Sequence, residues 1–594
     1  MEKVNIKIEG RIYSVDKDLT VLEAARRCGY NIPSLCSWNH GKCSLASCRV
    51  CLVEIRTARG GKLFASCVYP VADIPAEKGF EVFISSPMAT KARKASVELL
   101  LSNHSKDCQT CVKNGHCELL HVAQVTGAEA NKYEGELTPT TYDDLAPGIV
   151  RDTSKCILCG RCIERCKEAQ GIGILGFEKR GFQTIVAPVM NKSFAKVPCL
   201  QCGQCINVCP TGALSEHREI DKVDAAMKAG KKVIVQTAPA VRAAIAEEFG
   251  KKVGEENGTG RMVAALHRLG FYRVFDTNFS ADLTIMEEAQ ELINRITKGG
   301  VLPQITSCSP GWINYMEFFY SDLIPNVSTC KSPHEMFGAI LKSYYAKKHG
   351  LDPKDIYVVS VMPCTAKKYE EARPQNAVDG LRDVDAVITT RELALMIKRA
   401  GIMWNSLPEE EFDNDLVGEY TGAGAIFGVT GGVMEAALRT AYHTLNGKEY
   451  EAIDFKEVRG LQGVKEAEVD MGAAGKVKVA VTSGMANAKK LLDEIREGKS
   501  EYAFIEIMCC PGGCINGGGQ PFVKPSLMEN EDPDILETYR QKRADVLYTI
   551  DERKTIRQSH NNPDIQVLYK DYLGEPCSEL SEHLLHTSYV KDRE

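Results

Sequence analysis

The sequence lacks a basic stripe with interleaved aromatics, and its net charge is −6; together these argue against a nucleic-acid-binding surface. The short basic run Lys91-Ala92-Arg93-Lys94 reads as a solvated helix face. No apolar run reaches the ~18 residues of a membrane span. The opening residues, MEKVNIKIEGRIYSVD, alternate apolar and polar side chains and predict a strand pair, not a secretory leader. The glycine-rich stretch GAGAIFGVTGG (422–432) spaces its glycines G-x-G-x3-G with no strand leading in, so it is not a dinucleotide fingerprint; it reads as close backbone packing. Sulfur, by contrast, is abundant. Twenty-four cysteines with no secretory leader point to a reducing, cytoplasmic setting. There, closely spaced cysteines are metal ligands more often than disulfides.

At 594 residues the chain is too long for one core, and about four domains are expected. The first cysteine group is Cys36, Cys48, Cys51 and Cys67. It follows two strands and a helix over Thr20–Cys28, with three thiols in a long loop and one on a later strand. Four thiolates so placed suit a two-iron cluster, a zinc site being the alternative. Cys28 and Cys43 are read as non-ligands. The second group, His104, Cys108, Cys111 and Cys117, is spaced H-x3-C-x2-C-x5-C. It suits a His-ligated four-iron cluster, or a zinc site of three cysteines and one histidine. The third and fourth groups repeat C-x2-C-x2-C-x3-C: Cys156, Cys159, Cys162 and Cys166, then Cys199, Cys202, Cys205 and Cys209 followed by proline. This is the two-cubane ferredoxin repeat, in which the fourth cysteine of each run crosses to the other cluster. One cubane then takes Cys209 and the other takes Cys166.

Beyond about Lys222 apolar strands alternate with helical stretches, an α/β pattern. Four strands lead into chemistry-bearing loops. Lys232–Gln236 precedes Thr237-Ala238-Pro239, the run Val301–Ile305 precedes Cys308, Ile356–Met362 precedes Cys364, and Ala503–Met508 precedes Cys509, Cys510 and Cys514. Loops at the carboxyl ends of parallel strands are where ligands of α/β folds gather.

The segments TSCSPGW (306–312), MPCTAKKYE (362–370) and EIMCCPGGCINGGGQP (506–521) resemble the three signature loops of FeFe hydrogenases, and the resemblance extends over essentially the whole chain. It is nearest to the long clostridial-type and multisubunit, bifurcating-type catalytic subunits. The first cysteine group likewise resembles the two-iron domains of complex-I-like and hydrogenase subunits. The implied architecture is multidomain α+β and α/β. It comprises a β-grasp 2Fe-2S ferredoxin-like domain (1–82), a 4Fe-4S domain ligated by one histidine and three cysteines (83–137), a two-cubane ferredoxin domain (138–219) and an α/β H-cluster domain (220–594). The H-cluster is a 4Fe-4S cubane bridged by cysteine to a diiron unit with carbonyl, cyanide and a dithiolate amine. Three further 4Fe-4S clusters and one 2Fe-2S cluster accompany it.

Residue by residue, the resemblance makes Cys364, Cys510 and Cys514 cubane ligands, Cys514 being the bridge, and sets Met362, Met508 and Lys367 around the diiron. Pro239 and Ala240 match cofactor-contacting positions; Ala240 stands where serine is frequent and His334 where glutamine is. Cys509 falls in a variable slot and reads as a packing thiol. Glu288, Glu291 and Arg295, at i, i+3 and i+7, share a helix face. Alone they would be a solvated salt-bridge face, but with Ser328 they match a proton path. The loop 306–312 departs from the family, which carries two adjacent cysteines there. Cys308 takes the proton-relay slot and Ser309 the ligand slot, so the fourth cubane ligand is open between Cys308, Ser309 and Cys330. The implied activity is reversible H2 oxidation and proton reduction. Electrons would pass through the clusters to ferredoxin and/or an NAD(P)-dependent flavoprotein partner in a hetero-oligomer. An H2 sensor with a damped H-cluster and a complex-I-like electron carrier are the alternatives.

Overall fold

The computed structural model describes residues 2–38, 45–450, 454–461, 463–472, 475–528 and 535–591, so Cys43 lies outside it. The alternating start forms the expected hairpin: Lys3–Ile8 pairs antiparallel with Arg11–Asp16, reversing at Glu9-Gly10, both with positive φ. These strands join a five-stranded sheet in the order Arg11–Asp16, Lys3–Ile8, Glu81–Phe83, Leu52–Thr57, Gly60–Ala65. The helix Val21–Arg27 begins at a reciprocal Thr20/Glu23 capping box, which satisfies donors its first turn would otherwise leave bare. Cys67 sits in the turn after Gly60–Ala65, not on a strand. The sheet's core residues Ile6, Ile8, Val53 and Val82 pack in one cluster with Cys36, Cys48, Cys51 and Cys67.

Helices Pro87–Ser102 and Glu118–Thr126 flank the His104 group. Each ferredoxin-type cysteine run opens a short helix, Arg161–Gln170 and Gln204–Val208. The two loops before them reverse alike, through left-handed Leu158 and Gly160 in one and Gln201 and Gly203 in the other. Gly203 is obligatory for a second reason: a Cβ there would lie 2.6 Å from Thr365 Oγ1 and 2.8 Å from Gly518 Cα.

The C-terminal part holds two four-stranded sheets. One is wholly parallel, ordered Arg273–Asp276, Lys232–Thr237, Ile356–Met362, Ala386–Thr389. Its strands bury Val233, Ile234, Val235, Val358, Val359 and Phe275, the near-continuous apolar runs of a sheet covered on both faces. The other is ordered Gln304–Ile305, Tyr502–Met508, Lys476–Ser483, Val464–Asp470, with only the last strand antiparallel. The strand expected over Val301–Ile305 shrinks to Gln304 and Ile305. Pro303 has no N–H to give to a ladder, Val301 and Leu302 are exposed, and the Val301 carbonyl is taken by Arg295 Nη1 at 3.0 Å.

After helix Ile535–Arg553 the chain runs back over helix Asn278–Lys298. Glu287 on that helix anchors it. The buried carboxylate accepts from Tyr569 Oη, Ser581 Oγ, the Cys577 N–H at 2.7 Å and His586 Nε2 at 3.2 Å. Another buried pair ties the turn after Lys232–Thr237 to the end of the neighbouring strand. Arg242 binds Asp276 bidentately at 2.8 and 2.6 Å, both side chains being fully buried. Replacing Arg242 by methionine strands the Asp276 charge, and a loss of about 3–5 kcal/mol is expected, read as a fall in the denaturant midpoint of the C-terminal part.

Candidate functional site

Four loops meet where the carboxyl edges of the two C-terminal sheets face each other. Between them lies a cavity of about 90 Å³, lined by Pro239, Cys308, Met362, Cys364, Lys367, Met508, Cys510 and Cys514, with Cys202 and Cys509 also in its wall. Strand direction explains the gathering. All four contributing strands run parallel within their sheets and so deliver their following loops to one side. Ala240 is buried just outside the lining, its carbonyl accepting from Gln520 Nε2 at 2.8 Å. Cys330 is not in the lining. It is buried on the far side of the loop, its sulfur 3.8 Å from Glu291 Oε2.

Lys367 brings the one ammonium into this wall. Its Nζ donates to the Cys308 carbonyl at 3.2 Å and to Glu370 Oε2 at 2.6 Å, and Glu370 also meets His334 Nε2 at 2.7 Å. Burial alone would lower the Lys367 pKa, but the Glu370 charge holds it above its usual value. Burial likewise works against the Glu370 carboxylate, yet Lys367 and His334 bring it down to about 2. Burial and the Lys367 charge push His334 down to about 4, so the ring is neutral. Glu370 was missed in the sequence, although its i+3 spacing from Lys367 on the short helix Lys367–Glu370 signalled the pair.

On the other side of Cys308 runs a file of polar groups. Glu288 is fully buried; burial, then the Glu291 and Glu506 charges, push its carboxyl up to about 8. Its nearest polar partners are the Ser307 N–H and the Ser328 hydroxyl, neither aligned closely enough to complete a hydrogen bond. Next, Ser328 Oγ donates to Glu291 Oε2 at 2.6 Å, and Arg295 Nη2 holds Glu291 Oε1 at 2.7 Å, both side chains of this pair being partly exposed. The group thus passes from the fully buried Glu288 and Ser328 to the partly exposed Glu291 and Arg295, with Glu288, Glu291 and Arg295 along one helix face as their spacing required.

The ferredoxin-type runs cross as the repeat predicts. Cys209 lines a small cavity with Cys156, Cys159 and Cys162, while Cys166 has Cys199, Cys202 and Cys205 as its neighbours. The loop bearing Cys202 docks on the catalytic loops. Thr365 Oγ1 donates to the Gln201 carbonyl at 2.6 Å, Gln204 Nε2 to the Asn516 carbonyl at 2.8 Å, and Gln170 Nε2 to the Cys509 carbonyl at 3.1 Å. Outward, two branches reach the Cys156 run. Ser47 of the first group's loop donates to the Cys159 carbonyl at 3.3 Å, and Cys111 packs so tightly on Gly212 that a Cβ there would stand 2.7 Å from its sulfur. No local pattern announces these long-range contacts.

The sulfurs themselves test which metal fits. Four thiolates on one zinc ion at about 2.3 Å stand roughly 3.8 Å apart. Among the described residues, no group drawing three ligand atoms within 4.8 Å of one another contains more than one cysteine. Cys36 and Cys48 lie 3.5 Å apart, with Cys67 beside Cys36 and Cys51, a chain of pairs rather than a tetrahedron. Zinc is therefore the wrong size, and thiols spread around a multi-iron core are the right arrangement. Burial pushes the Cys308, Cys510 and Cys205 thiols well up and, with the Cys514 charge, brings Cys364 up to about 12. Ionising them demands the positive charge a metal cluster brings.

Glu288 yields a pH-dependent prediction. Its folded pKa lies above the ordinary 4.5, at about 8. The unfolded chain therefore ionises first as pH rises, and the stability held by the neutral carboxyl is progressively lost from about pH 4.5 to about pH 8. Glu288→Gln removes that loss. Its melting temperature relative to the unmutated protein is expected to rise across this window and to stay level below pH 4.

Residues 231–518 match the family model described as the iron-only hydrogenase large subunit, C-terminal domain, and 537–592 match the iron hydrogenase small subunit. Residues 1–74 match a 2Fe-2S iron-sulfur cluster binding domain, 93–131 the NADH-ubiquinone oxidoreductase-G iron-sulfur binding region, and 155–213 a 4Fe-4S dicluster domain. The chain is 46% identical to the NADP-reducing hydrogenase subunit HndD of Solidesulfovibrio fructosivorans, over 100% of this chain and 99% of that one. It is 42% identical to iron hydrogenase 1 of Clostridium pasteurianum, over 99% and 100%. A solved apo FeFe-hydrogenase HydA1 from Chlamydomonas reinhardtii aligns with TM-score 0.55 at 42% identity, covering 63% of this chain and 99% of that one. Full-length likeness of this degree, over a cavity ringed with cysteines, settles the assignment: the chain belongs to the iron-only hydrogenases, a catalytic subunit with an H-cluster domain behind 2Fe-2S and 4Fe-4S electron-transfer domains.

Proposed function

We propose that the chain interconverts H2 with protons and electrons at the cavity between the two C-terminal sheets. Electrons leave through the crossed cysteine runs, and protons leave along Glu288, Ser328, Glu291 and Arg295. The observation that carries this reading is the two-sided cavity: the same wall presents Cys202 of the ferredoxin repeat and Cys308, the thiol facing Glu288. Cys364, Cys510 and Cys514 would hold the cubane of the H-cluster, with Cys514 shared with the diiron part. When bound, the cofactor supplies the heterolytic cleavage and re-formation of H2.

The chain's own residues do the rest. Lys367 places an ammonium in the wall, where it favours an anionic cofactor; Glu370 keeps it charged and His334 keeps Glu370 in place. Met362, Met508 and Pro239 keep the lining apolar, which excludes water from the cavity. The Cys308 thiol passes a proton to or from the Glu288 carboxyl, whose pKa near 8 suits exchange close to neutrality. Ser328 and Glu291 carry it on towards solvent, with Arg295 holding the Glu291 carboxylate in place. The His104 and Cys36 groups, the two outer branches, are the docking ends for one-electron carriers. We assign these to ferredoxin and to an NAD(P)-dependent flavoprotein subunit, since the relative HndD is named as a subunit of an NADP-reducing hydrogenase. No helix among the described residues is long and apolar enough to cross a membrane. No disulfide joins the described cysteines, which suits a reducing, cytoplasmic setting.

Anaerobically matured protein is expected to show infrared bands of iron-bound carbonyl and cyanide. Full iron loading without those bands would leave only an electron carrier. Cys308→Ala is expected to cut turnover by about 100-fold or more while the infrared bands stay; unchanged turnover would remove Cys308 from the path.

A further inference from the structure

The fourth corner of the catalytic cubane is the unsolved part of the site. Cys364, Cys510 and Cys514 give three sulfurs, and the register of TSCSPGW puts a serine where the fourth would be. Of the open candidates, Cys330 is out of the cavity, against Glu291. Cys308 stands on the proton side, facing Glu288, with its carbonyl on Lys367. Ser309 offers an oxygen, a poor match for iron that takes thiolate elsewhere in the same cluster.

We propose that Cys509 supplies this fourth sulfur, the thiol having moved from position 309 to the residue directly across from it. The inference rests on the functional reading above. Three observations carry it. The Cys509 N–H donates to Ser309 Oγ at 3.1 Å, so the two positions are hydrogen-bonded neighbours contributed by different strands' loops. Cys509 is 4% exposed, follows the strand Tyr502–Met508 and lines the cavity together with Cys364, Cys510 and Cys514. The wall is also cut to fit a sulfur there. A Cβ on Gly311 would lie 2.6 Å from Cys509 Sγ and 2.9 Å from its Cβ, so Gly311 leaves a space that the Cys509 side chain fills.

In the structure the Cys509 sulfur lies 3.6 Å from Gln170 Oε1 and beside the Cys202 thiol, at the junction of the catalytic cavity and the ferredoxin repeat. Ligation deprotonates the thiol, forms one iron–sulfur bond and releases one proton to solvent; no electron changes hands. Ser309 then holds no iron and only accepts the Cys509 N–H. Cys308 remains free to carry protons.

The test uses the full-length chain produced without diiron maturation, so that the cubane is read independently of turnover. Iron and sulfide are counted, and the reduced four-iron signals are resolved by paramagnetic resonance and Mössbauer spectroscopy. Cys509→Ala is expected to lower the iron count and to remove the catalytic cubane's four-iron signal or convert it to a three-iron one. Ser309→Ala is expected to leave both intact, and Cys509→Ala combined with Ser309→Cys to restore both. Any pattern without this asymmetry overturns the assignment. That includes a Cys509→Ala protein that keeps its cubane and alters only the neighbouring cluster to which Cys202 belongs. An unmutated chain lacking the catalytic cubane altogether would instead overturn the functional reading, and this inference with it.

Discussion

Ionised sulfur cannot sit in a dry protein interior without positive charge beside it, and the catalytic half is organised around that constraint. Its cavity thiols are cut off from water, and burial drives them towards the neutral form. Only metal can reverse this, so the walls must hold several sulfurs in fixed places before the metal arrives. Two rigid sheet edges do so. Loops on the carboxyl ends of parallel strands are short and anchored by the ladder behind them, and opposing two such edges encloses the sulfurs from both sides. Lys367, the ammonium in the cavity lining, is buried on the same terms, with Glu370 maintaining its charge and His334 bonded to Glu370 behind it.

The same logic extends outward. The loop carrying Cys202 does not merely approach the catalytic loops; the Gln204 amide caps one of their carbonyls, the Thr365 hydroxyl caps the Gln201 carbonyl in return, and Gly203 lets the backbones touch. Close contact of this kind shortens the gap that electrons cross. Further out, the path read in the sequence as one line divides in two at the Cys156 run, through Ser47 on one branch and Cys111 on the other.

Much of this was legible because iron–sulfur ligation is local. Runs such as Cys156, Cys159 and Cys162 carry their spacing within one turn and its helix, and Glu288, Glu291 and Arg295 declare a face by helical periodicity alone. What escaped was set by contacts between distant segments. Cys330 and Cys308 look equivalent along the chain, but pairing of the short strand Gln304–Ile305 with Tyr502–Met508 puts one in the cavity wall and leaves the other behind it. Pro303 shortened that strand below what its apolar run suggested. Cys509, a packing thiol by slot, becomes interesting only once its N–H is seen on Ser309. Zinc, an open alternative by composition, falls to a distance that composition cannot supply.

The returning C-terminal segment fastens to Glu287, the neighbour in sequence of buried Glu288. Its stretch 537–592 matches a model described as a small subunit, yet here it is continuous with the catalytic part. Tethering converts that attachment from a second-order encounter into an intramolecular closure with a fixed effective concentration. Dilution therefore cannot strip the strap from the helix, and the orientation of the face that carries Glu288 is independent of how much protein the cell contains.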